Sequence, residues 1–446
     1  MFVEETEAKY RYVSFSAPAG EARLDPAHLR EKLEHILRGR LDFHGQQPAS
    51  PLHAIHAFAA KFPPQLPRVF IEALTRPGET VLDPMCGSGT ALVEAILLDR
   101  SAIGVDIDPL AILQSRVKTT PLDPGVAAAA VRSVGRRAEG LMANASALRA
   151  EFKARFDPET KKFIEYWFLE RTRLELMALL RAIEAEARDD VLRQFLEVIF
   201  SSLIVTKSGG VSLARDLAHS RPHLDVSKRP ENAIKLFLMK GVRAAEALKE
   251  LSSAHPAKVL EGDARKLPLG GGSVQLVVTS PPYANAIDYP RAHKFSLVWL
   301  GYSLSEIRRL LPSYIGTERV RTPYVRLPDS VEEVLSRIRE RDWRRERVVR
   351  QYFADMAQVM REIYRVLEPG RAAVLVVGPS TCRGIRIDTP TCIATLGEQA
   401  GLEKVGIGKR RLDRDRRMLP VSSKTNESGI ELRVHEEAVI GFLKPR

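Results

Sequence analysis

Residues 277–283 read Val-Val-Thr-Ser-Pro-Pro-Tyr, an apolar run that ends in a hydroxyl, two prolines and an aromatic ring. Proline has no N–H to donate and a fixed φ, so Pro281 and Pro282 end a strand and leave nearby carbonyls outside the ladder. Ser280 adds a hydroxyl that accepts a hydrogen bond, and Tyr283 a ring face on which a planar base can stack. The set suits methylation of an exocyclic amine on a heteroaromatic ring. Such an amine is a poor nucleophile because its lone pair is delocalised into the ring. Two acceptors, the Ser280 hydroxyl and the Pro281 carbonyl, would hold its two hydrogens and turn the lone pair toward a methyl donor, which is catalysis by positioning and electrostatics. A base in a duplex must first leave the stack to be reached. A strand-terminating turn with incidental prolines would look the same in isolation; a second motif upstream decides against it.

That second motif is Asp83-Pro84-Met85-Cys86-Gly87-Ser88-Gly89-Thr90, which follows a strand and opens a helix. Glycines let a backbone pass close to a ligand, and a helix start offers free N–H groups. Asp106 ends the next strand, 19 positions after Gly87, with Ile107 and Asp108 behind it. In nucleotide-binding folds an acid about 20 residues on accepts from ribose hydroxyls. Asp108, beside Pro109, is as well explained as a cap. A third acid, Asp263, with Ala264, follows a further strand. All three segments are expected along the carboxyl edge of a parallel sheet. The loop lacks the Gly-Lys-Ser/Thr ending of an ATP phosphate loop and the three-glycine form of a dinucleotide site.

The elements that must position these residues read as strand, Gly turn, helix, strand over residues 79–108, the start of an α/β fold. An amphipathic helix is predicted over 25–38 in an otherwise polar leader of 50 residues, and another after Pro63-Pro64. From 123 to 253 apolar residues recur at three- and four-residue intervals, which predicts a helical insertion, broken by a polar loop over 214–223. Strands resume near Val259 and at 275–279. Residues 290–365 are helical and arginine-rich. A buried strand over 371–378 is predicted after the turn Glu368-Pro369-Gly370, and a last strand over 437–442. The domain reading is 1–50 leader, 51–120 and 256–300 catalytic, 121–255 insertion, 301–365 arginine-rich, and 366–446 C-terminal catalytic strands.

The two motifs together resemble the DNA amino-methyltransferases, which make N4-methylcytosine or N6-methyladenine. The resemblance covers roughly 53–110, 257–300 and 365–380. It implies a Rossmann-like methyltransferase fold and S-adenosylmethionine as cofactor. By that likeness Lys61, Phe62 and Pro63 contact the methionine end of the cofactor. Asp83, Pro84 and Cys86 to Thr90 line it, Asp106 (with Ile107) binds the ribose, and Asp263 (with Ala264) lies by the adenine amine. Ser280, Pro281, Pro282 and Tyr283 are then catalytic. The Ser form of the tetrapeptide is seen mostly in cytosine-N4 enzymes, so site-specific methylation of cytosine N4 in duplex DNA is expected. The adenine-N6 reaction and an RNA guanine-N2 reaction are the alternatives. Cytosine-C5 methylation is set aside because Tyr283 stands where it needs a cysteine. The resemblance also brings a cognate restriction endonuclease as a candidate partner.

Charge agrees with a polyanionic substrate: 68 Lys+Arg against 56 Asp+Glu give +12 over 446 residues. Candidate DNA contacts are Arg291, His293 and Lys294 just after the catalytic loop, and Arg215 and Arg221 in the polar loop. Arg344 and Arg345 join them from a segment, 337–350, that carries seven arginines around Trp343. The three acids in that segment make a solvated helix face the competing explanation. The basic stretch 409–417 is a further candidate. Three cysteines without CxxC spacing predict neither a disulfide framework nor a metal site. The absence of a signal-like start or a long apolar run predicts a cytoplasmic protein with no membrane span.

Overall fold

A seven-stranded sheet frames the chain. The computed structural model describes residues 26–43, 46, 50–58, 61–206, 209–215, 217, 222–251, 257–284, 289–320, 325–412 and 436–446. The strands are β1 (Thr80–Asp83), β2 (Ser101–Asp106), β3 (Ala257–Glu261), β4 (Val274–Thr279), β5 (Leu367–Val377), β6 (Glu403–Arg411) and β7 (Glu436–Leu443). Their spatial order is β6-β7-β5-β4-β1-β2-β3, and of the seven only β7 runs antiparallel to its neighbours. β1 is central, with Thr80 opposite Ser101 of β2 and Leu82 opposite Val277 of β4. The chain leaves β1 toward β2 and β3, then returns on the other side as β4. That reversal opens a crevice at the carboxyl ends of β1 and β4, where doubly wound sheets hold ligands.

Strand β4 is apolar at nearly every position because both faces of the sheet are covered. Leu276 and Val278 pack with Leu66 and Phe70 of α2 (Gln65–Leu74) and Leu92 of α3 (Thr90–Leu97). Val277 faces the other way, with Phe353, Met356 and Val359 of the long helix over 343–366. The helix predicted in the leader, α1 (Pro26–Arg38), lies on the sheet, with Leu29, Leu33 and Leu37 in one apolar cluster with Val439 and Leu443.

After α4 (Pro109–Thr119) comes the insertion: α5 (Pro124–Leu141), α6 (Ala145–Arg155), α7 (Pro158–Trp167), α8 (Glu170–Glu186), α9 (Asp190–Ile204) and α10 (Ala233–Ala247). Asp123, Asn144, Asp157, Asp189 and Asn232 each cap one of these helices through a side-chain oxygen. α5 and α10 approach closely because a Cβ at Gly135 would meet Leu238 at 2.4 Å and one at Gly241 would meet Val131 at 2.6 Å. The insertion helices form one apolar cluster with Leu52, Val93 and Leu110 outside the insertion, and α11 (Tyr289–Leu297) and the turn after it feed Phe295, Val298 and Trp299 into it. Trp299 is fully buried among Phe152, Phe156, Phe168 and Phe200. The chain continues through α12 (Leu304–Leu310), α13 (Asp329–Arg341), α14 (Trp343–Val366) and α15 (Thr389–Gln399).

Three expectations change. Strand β5 begins at Leu367, so Glu368-Pro369-Gly370 belongs to the strand as an irregularity in its pairing, and Gly370 N donates to Lys444 O at 2.8 Å. Residues 409–411, read as the start of a basic stretch that contacts DNA, belong to β6, and Arg410 is buried against Glu437; residues 413–417 lie outside the described residues. The ends of the polar loop over 214–223 pair as a short antiparallel ribbon, Ala214 with Leu224 and Arg215 with His223.

Gly104 of β2 shows how tightly the sheet supports the glycine loop. A Cβ there would lie 2.5 Å from Leu92 Cδ1 and 3.0 Å from Cys86 Sγ, both in the buried interior. Overpacking of this kind costs about 1–3 kcal/mol. Gly104→Ala should lower the urea midpoint accordingly, and a variant as stable as the parent would contradict the close fit.

Candidate active site

The glycine loop leaves β1 at Asp83 and enters α3 at Thr90. Gly87 and Gly89 have φ of 50° and 75°, the left-handed region that glycine adopts without Cβ strain. The loop is tied from outside. Asp106 Oδ2 accepts from Gly87 N at 2.8 Å, while its Oδ1 accepts from Asp108 N at 2.9 Å. One carboxylate thus fastens the end of β2 to the turn after β1. From behind, Ser115 Oγ donates to Gly87 O at 2.8 Å, and Lys118 Nζ donates to Ser88 O at 3.1 Å. Lys118 is 1% exposed, and burial holds its ammonium well below the usual lysine range.

The segment before the loop is pinned in turn. His53 Nε2 meets Glu94 Oε1 of α3 at 2.6 Å, and Arg68 donates to the other Glu94 oxygen at 3.0 Å. His56 donates from Nδ1 to Ala57 O and bonds through Nε2 to Ser201 Oγ of the insertion at 2.8 Å. Lys61 Nζ donates to His53 O at 2.6 Å. These bonds set Phe58 against the loop: a Cβ on Gly87 would lie 3.1 Å from its ring. Phe58 also stacks on Tyr289 at 5.6 Å and meets the His293 ring at 5.2 Å in a tilted contact. Phe62 is buried and Pro63 is half-buried beside it.

The tetrapeptide Ser280 to Tyr283 leaves β4 at the same sheet edge. Ser280 is half-exposed, and neither its hydroxyl nor the Pro281 carbonyl has a hydrogen-bond partner among the described residues. Tyr283 donates its hydroxyl to Glu437 Oε1 of β7 at 2.7 Å, and Glu437 is held by Arg410 of β6. Burial, reinforced by the Glu437 charge, pushes the Tyr283 phenol well above the usual tyrosine range, so it stays neutral.

Asp108 joins the two halves. It caps α4, accepting from Leu110 N at 2.8 Å and Ala111 N at 3.1 Å. Its Oδ2 also accepts from His293 Nδ1 of α11 at 2.8 Å and from the Tyr314 hydroxyl at 3.0 Å. Burial opposes ionisation of Asp108, but the His293 ring and the capped amides outweigh it and hold the carboxyl below the usual range. Asp263, with Ala264, lies at the end of β3. Both its oxygens accept from Arg265, which also bonds Asp355 at 2.9 Å and Ser313 O at 2.8 Å.

The candidate DNA contacts sort unevenly. His293 corrects the expectation: it is 1% exposed and committed to Asp108, so it positions the site from inside. Lys294 is half-buried with its ammonium over the Phe163 ring at 5.4 Å, directed at the insertion. Arg291 is half-buried on the same helix. Arg215 is exposed but paired with Asp225 at 2.7 Å. Arg221 lies outside the described residues. Arg345 pairs with Glu318 at 2.7 Å, whereas Arg344 is exposed and leans on Trp343.

Five contributors escaped the sequence reading. Phe58 and Lys118 carry no local signal; each depends on packing across distant elements. His53 and His56 could have been noticed from the pair in His-Ala-Ile-His, and Tyr314 only from Asp108 needing donors. Among the described residues no group of three or more His, Cys, Asp or Glu side chains is arranged to hold a metal ion, and no helix is long and apolar enough to cross a membrane.

The donor set fits S-adenosylmethionine, whose sulfonium and ammonium are cationic and whose ribose carries two hydroxyls. Burial raises the Asp83 carboxyl to about 7, and burial with the Asp108 charge raises Asp106 to about 6. Neither acid is paired with a basic side chain among the described residues, and such a ligand brings positive charge. Sheet order, loop and acids together define a Rossmann-like methyltransferase with S-adenosylmethionine as methyl donor. The N6/N4 methyltransferase family model for DNA methylases matches residues 30–115. The chain is 25% identical over 433 residues to the Type II methyltransferase M.MvaI of Kocuria varians, spanning 90% of this chain and 93% of that one. It is 22% identical over 440 residues to M.BsoBI of Geobacillus stearothermophilus (85% and 84%), and 48% identical over 50 residues to M.BglI of Bacillus subtilis (11% and 14%). By these matches the chain is similar to the DNA amino-methyltransferases.

The raised Asp83 carboxyl has a measurable consequence. The folded chain holds that proton up to about 7, whereas an unfolded aspartate releases it near ~3.9. The folded state binds more protons between those values, so the ligand-free protein loses stability from this group as pH rises from about 4 to about 7. Asp83→Asn should flatten urea midpoint against pH over that window. An unchanged slope would place the dependence elsewhere.

Proposed function

We propose that this protein methylates the exocyclic N4 amine of cytosine at a specific site in duplex DNA. The observation that carries the reading is the pair of acceptors at the end of β4, Ser280 Oγ and Pro281 O, which have no partner among the described residues. Bound S-adenosylmethionine supplies an electrophilic methyl group. Ser280 and Pro281 accept the two N–H bonds of the amine and turn its lone pair toward that methyl. Tyr283, fixed in direction by Glu437, offers its ring to the flipped base. Gly87, Ser88 and Gly89 cradle the cofactor, Asp106 takes its ribose hydroxyls and Asp263 its adenine amine. Lys61, Phe62 and Pro63 lie toward the methionine end. The Ser form of the tetrapeptide supports cytosine over adenine. In this reading the catalytic parts are 51–120, 256–300 and 366–446, and the excess positive charge favours DNA.

The direct test is expression in a host without base methylation, followed by mass spectrometry of nucleosides from its DNA. N4-methyldeoxycytidine is the expected product. N6-methyldeoxyadenosine would preserve the chemistry and reassign the base, and neither product from a cofactor-binding protein would overturn the DNA reading. Ser280→Ala should lower kcat by about 10²–10³-fold, the usual cost of one preorganised hydrogen bond at a reacting centre, with cofactor affinity unchanged by calorimetry. A wild-type rate would remove Ser280 from the mechanism.

Cofactor affinity should also depend on pH through Asp106. With its carboxyl near about 6, the ionised fraction rises about tenfold from pH 5 to pH 7. S-adenosylhomocysteine should bind correspondingly tighter at pH 7, and Asp106→Asn should bind weakly with much of that dependence lost. A variant with wild-type affinity at pH 7 would refute the ribose assignment.

A further inference from the structure

The start of α14 carries a feature that the catalytic site does not use. Trp343 is 56% exposed, unusual for a tryptophan, and stands at the first position of the helix. Around it is an open cavity of about 310 Å³, lined by Trp343, Arg344, Arg345, Arg347, Val348, Val320 and Glu318. Of the three arginines, Arg345 is neutralised by Glu318 at 2.7 Å. Arg344 is exposed with its guanidinium 5.4 Å from the Trp343 ring, and Arg347 is exposed; neither has a carboxylate partner among the described residues. The cavity therefore combines two uncompensated cations with an aromatic face.

Its position relative to the chemistry is set by the strap over 314–320. Tyr314 bonds Asp108 at the cofactor edge. A Cβ on Gly316 would lie 3.8 Å from the Tyr283 carbonyl oxygen, so the strap passes against the catalytic tetrapeptide. Glu318 and Val320 then line the cavity. Four residues of chain span at most ~14 Å, so Val320 is no further than that from Gly316. A DNA strand rises ~3.4 Å per nucleotide, so that span corresponds to about four nucleotides at most.

We propose that the Trp343 cavity binds the DNA strand beside the target base, with Arg344 and Arg347 on backbone phosphate and the Trp343 ring against the adjoining nucleotide. The inference rests on the DNA reading above and adds a separate subsite to it. Arginine suits phosphate through its planar fork of donors, and an aromatic face takes a nucleotide of any sequence. The subsite therefore adds affinity and register rather than sequence choice.

The test measures binding of a fluorescein-labelled mixed-sequence duplex to the full chain, saturated with S-adenosylhomocysteine, across a salt series. Each phosphate contact contributes about 0.9 to the slope of log affinity against log salt. The double variant R344A/R347A should lose about 1.8 from that slope. Between 50 and 200 mM salt, wild type should then lose about 12-fold more affinity than the variant. Trp343→Ala should weaken binding about tenfold with the slope unchanged. Cofactor affinity and thermal midpoint, measured alongside, should stay at wild-type values because all three side chains are exposed. A wild-type slope in the double variant would overturn the subsite while leaving the DNA reading intact. Failure of wild type to bind the duplex at all would overturn the DNA reading itself. If the variant instead loses binding to a transfer RNA and keeps binding to the duplex, the assignment to DNA is wrong.

Discussion

Two neighbouring carboxylates at the end of β2 carry most of the organisation around the site. Asp106 turns back to Gly87 and so fixes the shape of the glycine loop. Asp108 accepts hydrogen bonds from the start of α4, from His293 after the catalytic tetrapeptide, and from Tyr314 on the strap. Three stretches far apart in sequence meet on its side chain at a depth where water does not compete. A buried carboxylate with that many donors is strongly favoured as the anion, and removal of one donor would leave the charge uncompensated. One buried carboxylate therefore ties the end of β2 to α11 and to the strap over 314–320.

The segments with strong local grammar were legible in the sequence. The Gly87-Ser88-Gly89 turn between a strand and a helix, the proline-terminated strand before Tyr283 and the periodic insertion all appear where residue type and spacing put them. Capping residues such as Asp123 and Asp157, each followed by proline, mark helix starts plainly. What escaped was decided by partners remote in sequence. The basic stretch that begins at Lys409 reads as a DNA contact; only pairing with β7 and the Glu437 carboxylate makes Arg410 an interior residue. His293 follows the catalytic loop among cations and reads as a phosphate contact; the Asp108 carboxylate turns it inward.

Lysine 118 shows the same logic in a harsher form. A lysine at 1% exposure has given up its hydration, and its hydrogen bond is to the Ser88 carbonyl. Burial already pushes its proton affinity down. The chain accepts that cost at the back of the glycine turn, whose backbone the ammonium holds in place.

The placement of Trp299 reaches beyond catalysis. The segment that follows the Ser280–Tyr283 tetrapeptide ends as a plug in the insertion's core, locked among four phenylalanines contributed by α6 and its C-cap, α9 and the turn between α7 and α8. The insertion is thus not a cassette joined at two ends in sequence. It has a third point of attachment, made by residues that belong to the active-site side of the chain. Any exchange of this helical unit between relatives, in the laboratory or over evolutionary time, has to transfer residues near 289–307 along with it. Otherwise the recipient is left with a tryptophan and no cavity, or a cavity and no tryptophan.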